Sequence, residues 1–293
     1  MTTSADREDA RVLRVASHGG VVLVGDCRGD PSAPTVVFLH GGGQTRHSWG
    51  GTAMRVAARG WQTITLDARG HGESDWAPDA NYQLSTFALD LACVVDCLDA
   101  RPIVVGASLG GLTSILMAGE LRPGSVAGLV LVDIIPGMDQ GGADRIQSFM
   151  RERASTGFAT LDEVADAVAA YNPHRPRPSD LSGLVKNLRR RDGRWYWHWD
   201  PAFIGGIADL GPREILDRDR LNAAMASIGV PAMLVRGRQS DLVSEPGAQA
   251  FLRQFPNVEF VDVSGAGHMV AGDLNDAFTE AVLVFLERHH LPR

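Results

Sequence analysis

Val104-Val105-Gly106-Ala107-Ser108-Leu109-Gly110-Gly111 is the stretch on which the reading of this chain turns. The residues leading into it, Pro102-Ile103-Val104-Val105, are a short apolar run that predicts a buried strand. Those leaving it, Leu112-Thr113-Ser114-Ile115-Leu116-Met117, predict a helix. A serine with glycine two positions to either side fits the Gly-x-Ser-x-Gly elbow, a strained strand-to-helix turn that exposes the serine hydroxyl. Glycine is needed at both flanks because a Cβ there would strike neighbouring backbone. The following helix aims its unpaired N–H groups and positive end at the serine, where an oxyanion would form. The bland alternative is an ordinary glycine-rich turn between strand and helix. The context on both sides favours the elbow.

Bulk properties bound what surrounds this turn. The chain has 293 residues, 44% of them hydrophobic and 22% charged, which is enough apolar content for a sizeable core and too much for disorder. Its 28 basic and 35 acidic residues leave a net charge of -7, so there is no electrostatic reason to expect nucleic acid or an anionic membrane as partner. The first nine residues are polar and lack a signal-peptide core, and no apolar run is long enough to span a bilayer. A cytoplasmic protein is expected. Cys27, Cys93 and Cys97 are too few and too odd in number for a disulfide framework. Cys93 and Cys97 read as packing residues one helical turn apart, and no metal site is expected.

Outward from the elbow, strand and helix patterns alternate. Arg11–Val15 and Val21–Val24 predict a hairpin at a sheet edge. Val36–Leu39 is a continuous apolar strand ending in His40-Gly41-Gly42-Gly43. A helix follows over 48–59, then strand Trp61–Leu66 running into Asp67-Ala68-Arg69-Gly70-His71-Gly72-Glu73-Ser74. Leu84–Leu98 has apolar residues spaced three to four apart, as a helix does. After the elbow helix comes strand Val126–Val132, closed by Asp133. This rhythm predicts an α/β protein with a mostly parallel sheet, whose functional residues lie beyond the carboxyl ends of the strands. The rhythm breaks at Pro136. Helices over Ala143–Thr156 and Leu161–Tyr171, a proline-broken connector over 172–180 and the aromatic run Arg194–Pro201 occupy the middle. Strands return at Ala232–Arg236 and Val258–Val263, and a last helix covers Asn275–His289. The expected organisation is a core of residues 1–135 and 217–293 with a helical cap inserted over 136–216.

An activated serine needs a base, and the base needs an orienting acid. His18, His289 and His290 lie near the termini, His47 and His71 in early loops, and His174 and His198 in the insert. His268 lies in Ser264-Gly265-Ala266-Gly267-His268-Met269-Val270, a glycine-rich loop after the last strand that can bring an imidazole over a strand end. His268 is therefore the expected base. Asp241, in the polar loop after strand Ala232–Val235, is the expected acid; Asp133 is its rival.

These residues resemble the α/β-hydrolase superfamily. The similarity rests on His40-Gly41-Gly42-Gly43, the Asp67–Ser74 run, the elbow, Asp241 and His268, in the family's order of nucleophile, acid and histidine. Among serine-nucleophile members the chain looks most like small esterases, lactonases, carbon–carbon bond hydrolases and cofactor-free haloperoxidases. Ser108 argues against the epoxide hydrolases and haloalkane dehalogenases, which carry aspartate at the elbow. The resemblance implies an oxyanion hole from the N–H groups of Leu109 and of Gly42, with Gly43 as the alternative to Gly42. It implies a structural role for His40 and no organic cofactor or metal.

Three of the six tryptophans fall within Trp195–Trp199. In an extended segment Trp195, Trp197 and Trp199 share one face, and Tyr196 and His198 the other. They read either as a cap glued to the core or as an aromatic substrate wall, with the first favoured. Trp49, Met138 and Trp197 are the expected pocket residues. The function expected is cleavage of an ester, lactone or related carbonyl bond of a small apolar molecule through an acyl-enzyme. The alternatives are a carbon–carbon bond hydrolase or perhydrolase using the same triad, and a ligand-binding receptor that keeps the fold without turnover. A small-molecule substrate is the expected partner, and a homo-oligomer stays compatible with the sequence.

Overall fold

The computed structural model describes residues 10–171, 177, 180–209, 217–268 and 275–289. The polar N-terminus before residue 10, most of the 172–180 connector and the Met269-Val270 end of the histidine loop lie outside these residues. An eight-stranded sheet carries the fold. Its strands are β1 (Arg11–Ala16), β2 (Val22–Arg28), β3 (Thr35–Leu39), β4 (Gln62–Leu66), β5 (Ile103–Ala107), β6 (Gly128–Val132), β9 (Ala232–Gln239) and β10 (Val258–Gly267). They lie in the order β1-β2-β4-β3-β5-β6-β9-β10. β1 and β2 form the expected edge hairpin, β2 runs antiparallel to β4, and every later pairing is parallel.

β3, β5 and β6 are buried along their whole length, which is why they read as unbroken apolar runs. Alternate side chains feed two layers. Val37, Val104, Leu129 and Leu234 face the layer holding α2 (Leu84–Val95) and α3 (Leu109–Leu116). Phe38, Val105, Val130 and Val235 face α1 (Gly50–Ala57) and α9 (Thr279–Arg288) through Trp49, Val56, Val282 and Phe285. The period of two along each strand thus fills both faces of the sheet, and helices cover both.

After β6 the chain leaves the sheet. It forms α4 (Gln140–Arg151), α5 (Leu161–Tyr171), a hairpin of β7 (Leu188–Arg191) and β8 (Arg194–Trp197), and α6 (Pro201–Asp209). It returns through α7 (Arg218–Ala226) to β9. The β7–β8 hairpin adds two strands to an insert whose sequence predicts helices and loops. Arginines stack on rings on both of its faces, with Arg190 over Trp195 on one and Arg191 over Tyr196 on the other. α8 (Glu245–Gln254) fills the crossover between β9 and β10, begun by the Ser244 side chain accepting from the Gly247 N–H.

Candidate active site

Ser108 stands where β5 meets α3, with φ 48° and ψ -117°. That left-handed backbone is strained for a residue with a Cβ, and strain of this kind persists only where the surroundings fix it. The fixing is visible. The Ser108 N–H donates to Val132 O at 3.1 Å, and its carbonyl accepts from Gly111 and Leu112. A Cβ on Gly106 would stand 2.4 Å from Gly110 O, and one on Gly110 would stand 2.7 Å from Leu39 O. No side chain fits at either flank. Leu109 begins α3, so its N–H has no carbonyl in the preceding turn to bond.

The loop after β3 runs past this turn. A methyl group on Gly41 would come within 3.2 Å of Ser108 Cβ. The Gly41 carbonyl accepts from His40 Nδ1–H at 2.8 Å and from the Gln44 N–H at 3.0 Å. The Gly43 N–H donates to His71 Nε2 at 3.1 Å, and the Gly43 carbonyl accepts from His198 Nε2–H at 3.2 Å. Of the two glycines weighed as oxyanion donors, Gly43 therefore has its N–H committed to an imidazole. Among the described residues, a Cβ on Gly42 would meet the Phe203 ring at 3.7 Å.

Three histidines of this region are neutral by their partners alone. His40 Nε2 accepts from the Ala68 N–H at 3.0 Å, and His71 Nδ1–H donates to Arg69 O at 3.0 Å. His198 Nδ1 accepts from the Gly72 N–H at 2.8 Å. Each ring thus donates from one nitrogen and accepts at the other, so an added proton would meet a donor. Burial works in the same direction, pushing His40 down to about 4, His71 to about 3 and His198 well below 6.5.

Asp67, the head of the polar run after β4, is fully buried and tied to Arg46. Its Oδ1 accepts from the Arg46 N–H at 2.6 Å, its Oδ2 from the Arg46 guanidinium and from the Glu73 N–H at 2.9 Å. These bonds make the 67–74 run a rigid wall.

His268 follows the end of β10. Its Nδ1 lies 2.9 Å from Asp133 Oδ2, with both side chains almost fully buried. This corrects the expectation of Asp241 as the partner of His268. β10 is irregular between Val263 and Gly267, and this shift carries the chain across the end of β9. A Cβ on Gly237 of β9 would stand 2.6 Å from Ala266 O, so the crossing needs glycine. His268 thereby reaches the end of β6, one strand further than its own neighbour. There Asp133, at φ 53°, receives it on Oδ2 and takes the Gly237 N–H on Oδ1 at 3.0 Å. Asp241 faces elsewhere, with its Oδ2 2.7 Å from Arg145 Nη2 of α4.

The expected pocket residues are corrected in part. Trp49 is wholly buried against Phe38 and donates its indole N–H to Leu39 O at 3.0 Å, so it belongs to the core. Trp197 is buried inside the insert, stacked on Trp199 at 4.9 Å and donating to Glu152 O at 3.3 Å. Met138 is half-buried against the main core. The aromatic run serves as packing, and its His198 faces the glycine loop. His71 and His198 are the two residues at this site that motif reading passes over. The one signal for His198 is its place between two buried tryptophans just past the end of β8, where an extended reading turns it to the opposite face.

A serine on a strained elbow, a histidine–aspartate pair reaching across the carboxyl ends of the sheet and a glycine loop beside the serine recur together in one fold family. The model of the alpha/beta hydrolase fold matches residues 34–273. The chain belongs to the α/β-hydrolase family. As a hydrolase of that family it is 34% identical to esterase Rv0045c of Mycobacterium tuberculosis over 266 residues, 86% of this chain and 82% of that protein. It is 30% identical to the sn-1-specific diacylglycerol lipase ABHD11 of Mus musculus over 88% of this chain and 82% of that one. Among solved structures, E-2-(acetamidomethylene)succinate hydrolase superposes with a TM-score of 0.80 at 26% identity, covering 95% of this chain and 99% of its own. Among the described residues no helix is long and apolar enough to cross a membrane.

Proposed function

We propose that the chain is a serine hydrolase that cleaves an ester or related carbonyl bond of a small apolar molecule through an acyl-enzyme. The observation that carries this reading is the buried His268–Asp133 pair together with the strained Ser108 elbow. Asp133 accepts from His268 Nδ1–H, and this tautomer of the neutral ring presents its lone pair at Nε2, the atom that acts as the base. Ser108 Oγ attacks the carbonyl carbon as its proton passes to Nε2. The carbonyl oxygen becomes an oxyanion held by the N–H groups of Gly42 and Leu109. Collapse breaks the bond to the leaving group, which takes the proton from Nε2. Water then repeats the sequence on the acyl-enzyme and returns the serine.

The apolar substrate class is supported by what the insert brings to the glycine loop: Phe203 beside Gly42 and Met150 beside Gly43. The names of the esterase and lipase relatives point the same way. A fluorophosphonate reagent tests the proposal. Mass spectrometry is expected to find the adduct on Ser108 in the wild type and none in Ser108→Ala, with His268→Ala labelling far more slowly. A folded wild type that does not label would refute the nucleophile.

A further inference from the structure

The glycine loop has three consecutive peptide units, and a different histidine fixes each. The unit from Gly41 to Gly42 is held by its carbonyl, which accepts from His40 Nδ1–H and the Gln44 N–H. The unit from Gly42 to Gly43 is held by its N–H, which donates to His71 Nε2. The unit from Gly43 to Gln44 is held by its carbonyl, which accepts from His198 Nε2–H. A peptide is planar, so fixing the Gly41 carbonyl also fixes the opposite direction taken by the Gly42 N–H. Gly43 has φ 77°, and glycines move freely between such states unless both flanking units are held.

Two of these histidines come from the loops at the core's own strand ends. The third comes from the insert. His198 is itself fixed there on every side: its backbone N–H donates to Asn187 O at 3.1 Å, and its ring meets Trp199 edge-on at 5.3 Å. Its neighbours are sewn to the opposite loop, with the Asp200 N–H donating to Gly70 O at 2.8 Å and Arg189 Nη2 to Gly72 O at 2.8 Å. The ring then spans the gap between the two loops, from the Gly72 N–H to the Gly43 carbonyl.

We infer that His198 is a positioning residue for the oxyanion loop, so that the docked insert completes the alignment of the Gly42 N–H. The inference rests on the serine-hydrolase reading for its catalytic consequence, and on the hydrogen bonds alone for the clamp. An oxyanion forms only on the way to the tetrahedral intermediate, so misaligning its donor lowers kcat and leaves ground-state binding nearly untouched.

The test uses the full-length protein and a p-nitrophenyl ester. His198→Ala is expected to lower kcat by about 10- to 100-fold, less than outright loss of an oxyanion donor, with KM changed less than about threefold. A glutamine amide reaches the place of Nε2 and an asparagine amide that of Nδ1. His198→Gln therefore keeps the donor to Gly43 and is expected to recover most of the loss, whereas His198→Asn keeps only the Gly72 contact and is expected to stay as low as His198→Ala. Equal kcat in the two amide variants, or an effect confined to KM, overturns the positioning role.

A second measurement does not depend on turnover. Nitrogen-15 NMR of the wild type is expected to show His198 as the Nε2–H tautomer and His71 as the Nδ1–H tautomer. The reverse assignment for His198 removes the bond to Gly43 and overturns the clamp, even if His198→Ala were too unstable to assay. Turnover that survives in Ser108→Ala would sink the serine-hydrolase reading; the tautomers would still judge the clamp.

Discussion

Asp133 and Asp241 are chemically alike and sit at comparable places, just beyond the carboxyl ends of neighbouring parallel strands. Their surroundings divide them. Asp133 is almost fully buried, and both of its oxygens are engaged, one by the Gly237 N–H and one by His268. Asp241 is a quarter exposed and faces an arginine of the insert whose own side chain is mostly in solvent. A carboxylate that orients a base must be held rigidly and kept from water. The fold provides that at β6, and uses the equivalent place after β9 to dock α4. A methyl group on Gly142 would stand 2.2 Å from Asp241 O, and the Asp139 N–H donates to Leu242 O at 2.9 Å. The strand end that presents an acid is therefore settled by which strand the histidine crosses, not by chain order.

Substitutions can break this contrast, and the largest effect is expected at the acid itself. Asp133→Asn should lower kcat by on the order of 10⁴-fold, as expected when an amide reverses the tautomer of the base. Asp241→Asn should stay within about threefold of the wild type, since it removes only a partly exposed ion pair. Steady-state kinetics on one ester substrate compares the two directly.

Glycine substitutions sharpen the same contrast at the backbone. Gly237→Ala forces the chain carrying His268 away from Asp133 and should lower kcat by about 10- to 100-fold, the scale of a displacement near 1 Å. Gly142→Ala presses α4 off the Asp241 loop instead. It should lower the melting temperature while the surviving folded protein keeps its rate.

Acid sensitivity separates the histidines from either aspartate. His40 and His71 have folded values of about 4 and about 3, below the ordinary 6.5, so the unfolded chain takes up protons first as pH falls. Their contribution is complete above about pH 7 and is lost between 6.5 and those folded values, at up to about 1.4 kcal/mol per pH unit for each ring. Denaturant unfolding at pH 7 and pH 5 measures this. Asp241→Asn should leave the pH slope unchanged, because neither ring touches Asp241. The smallest effect is the Asp241–Arg145 pair itself. A double-mutant cycle with Arg145→Ala should return a coupling below about 1 kcal/mol.

Much of the fold is legible in the sequence because burial writes it there. The strands buried on both faces appear as apolar runs, and the two glycines around Ser108 appear because nothing larger fits against Gly110 O and Leu39 O. What stays hidden is structure that does not depend on an apolar pattern. β7 reads Leu-Arg-Arg-Arg, with three of its four residues exposed, and owes its strand to pairing with β8. α8 buries only Ala248 and Phe251, so apolar spacing does not announce it, although Ser244 and Pro246 are start signals. The site divides the same way. Ser108 and His268 are marked by local glycine patterns. The choice of Asp133 depends on an irregularity between Val263 and Gly267, and the role of His198 on a contact between residues 155 positions apart.

The central claim is that His268 is held by Asp133. Proton NMR of the imidazole Nδ1–H tests it most directly, because a proton shared with a buried carboxylate resonates far downfield. The resonance is predicted in the wild type and in Asp241→Asn, and predicted to vanish in Asp133→Asn. Its survival in Asp133→Asn, or its loss in Asp241→Asn, would contradict the account.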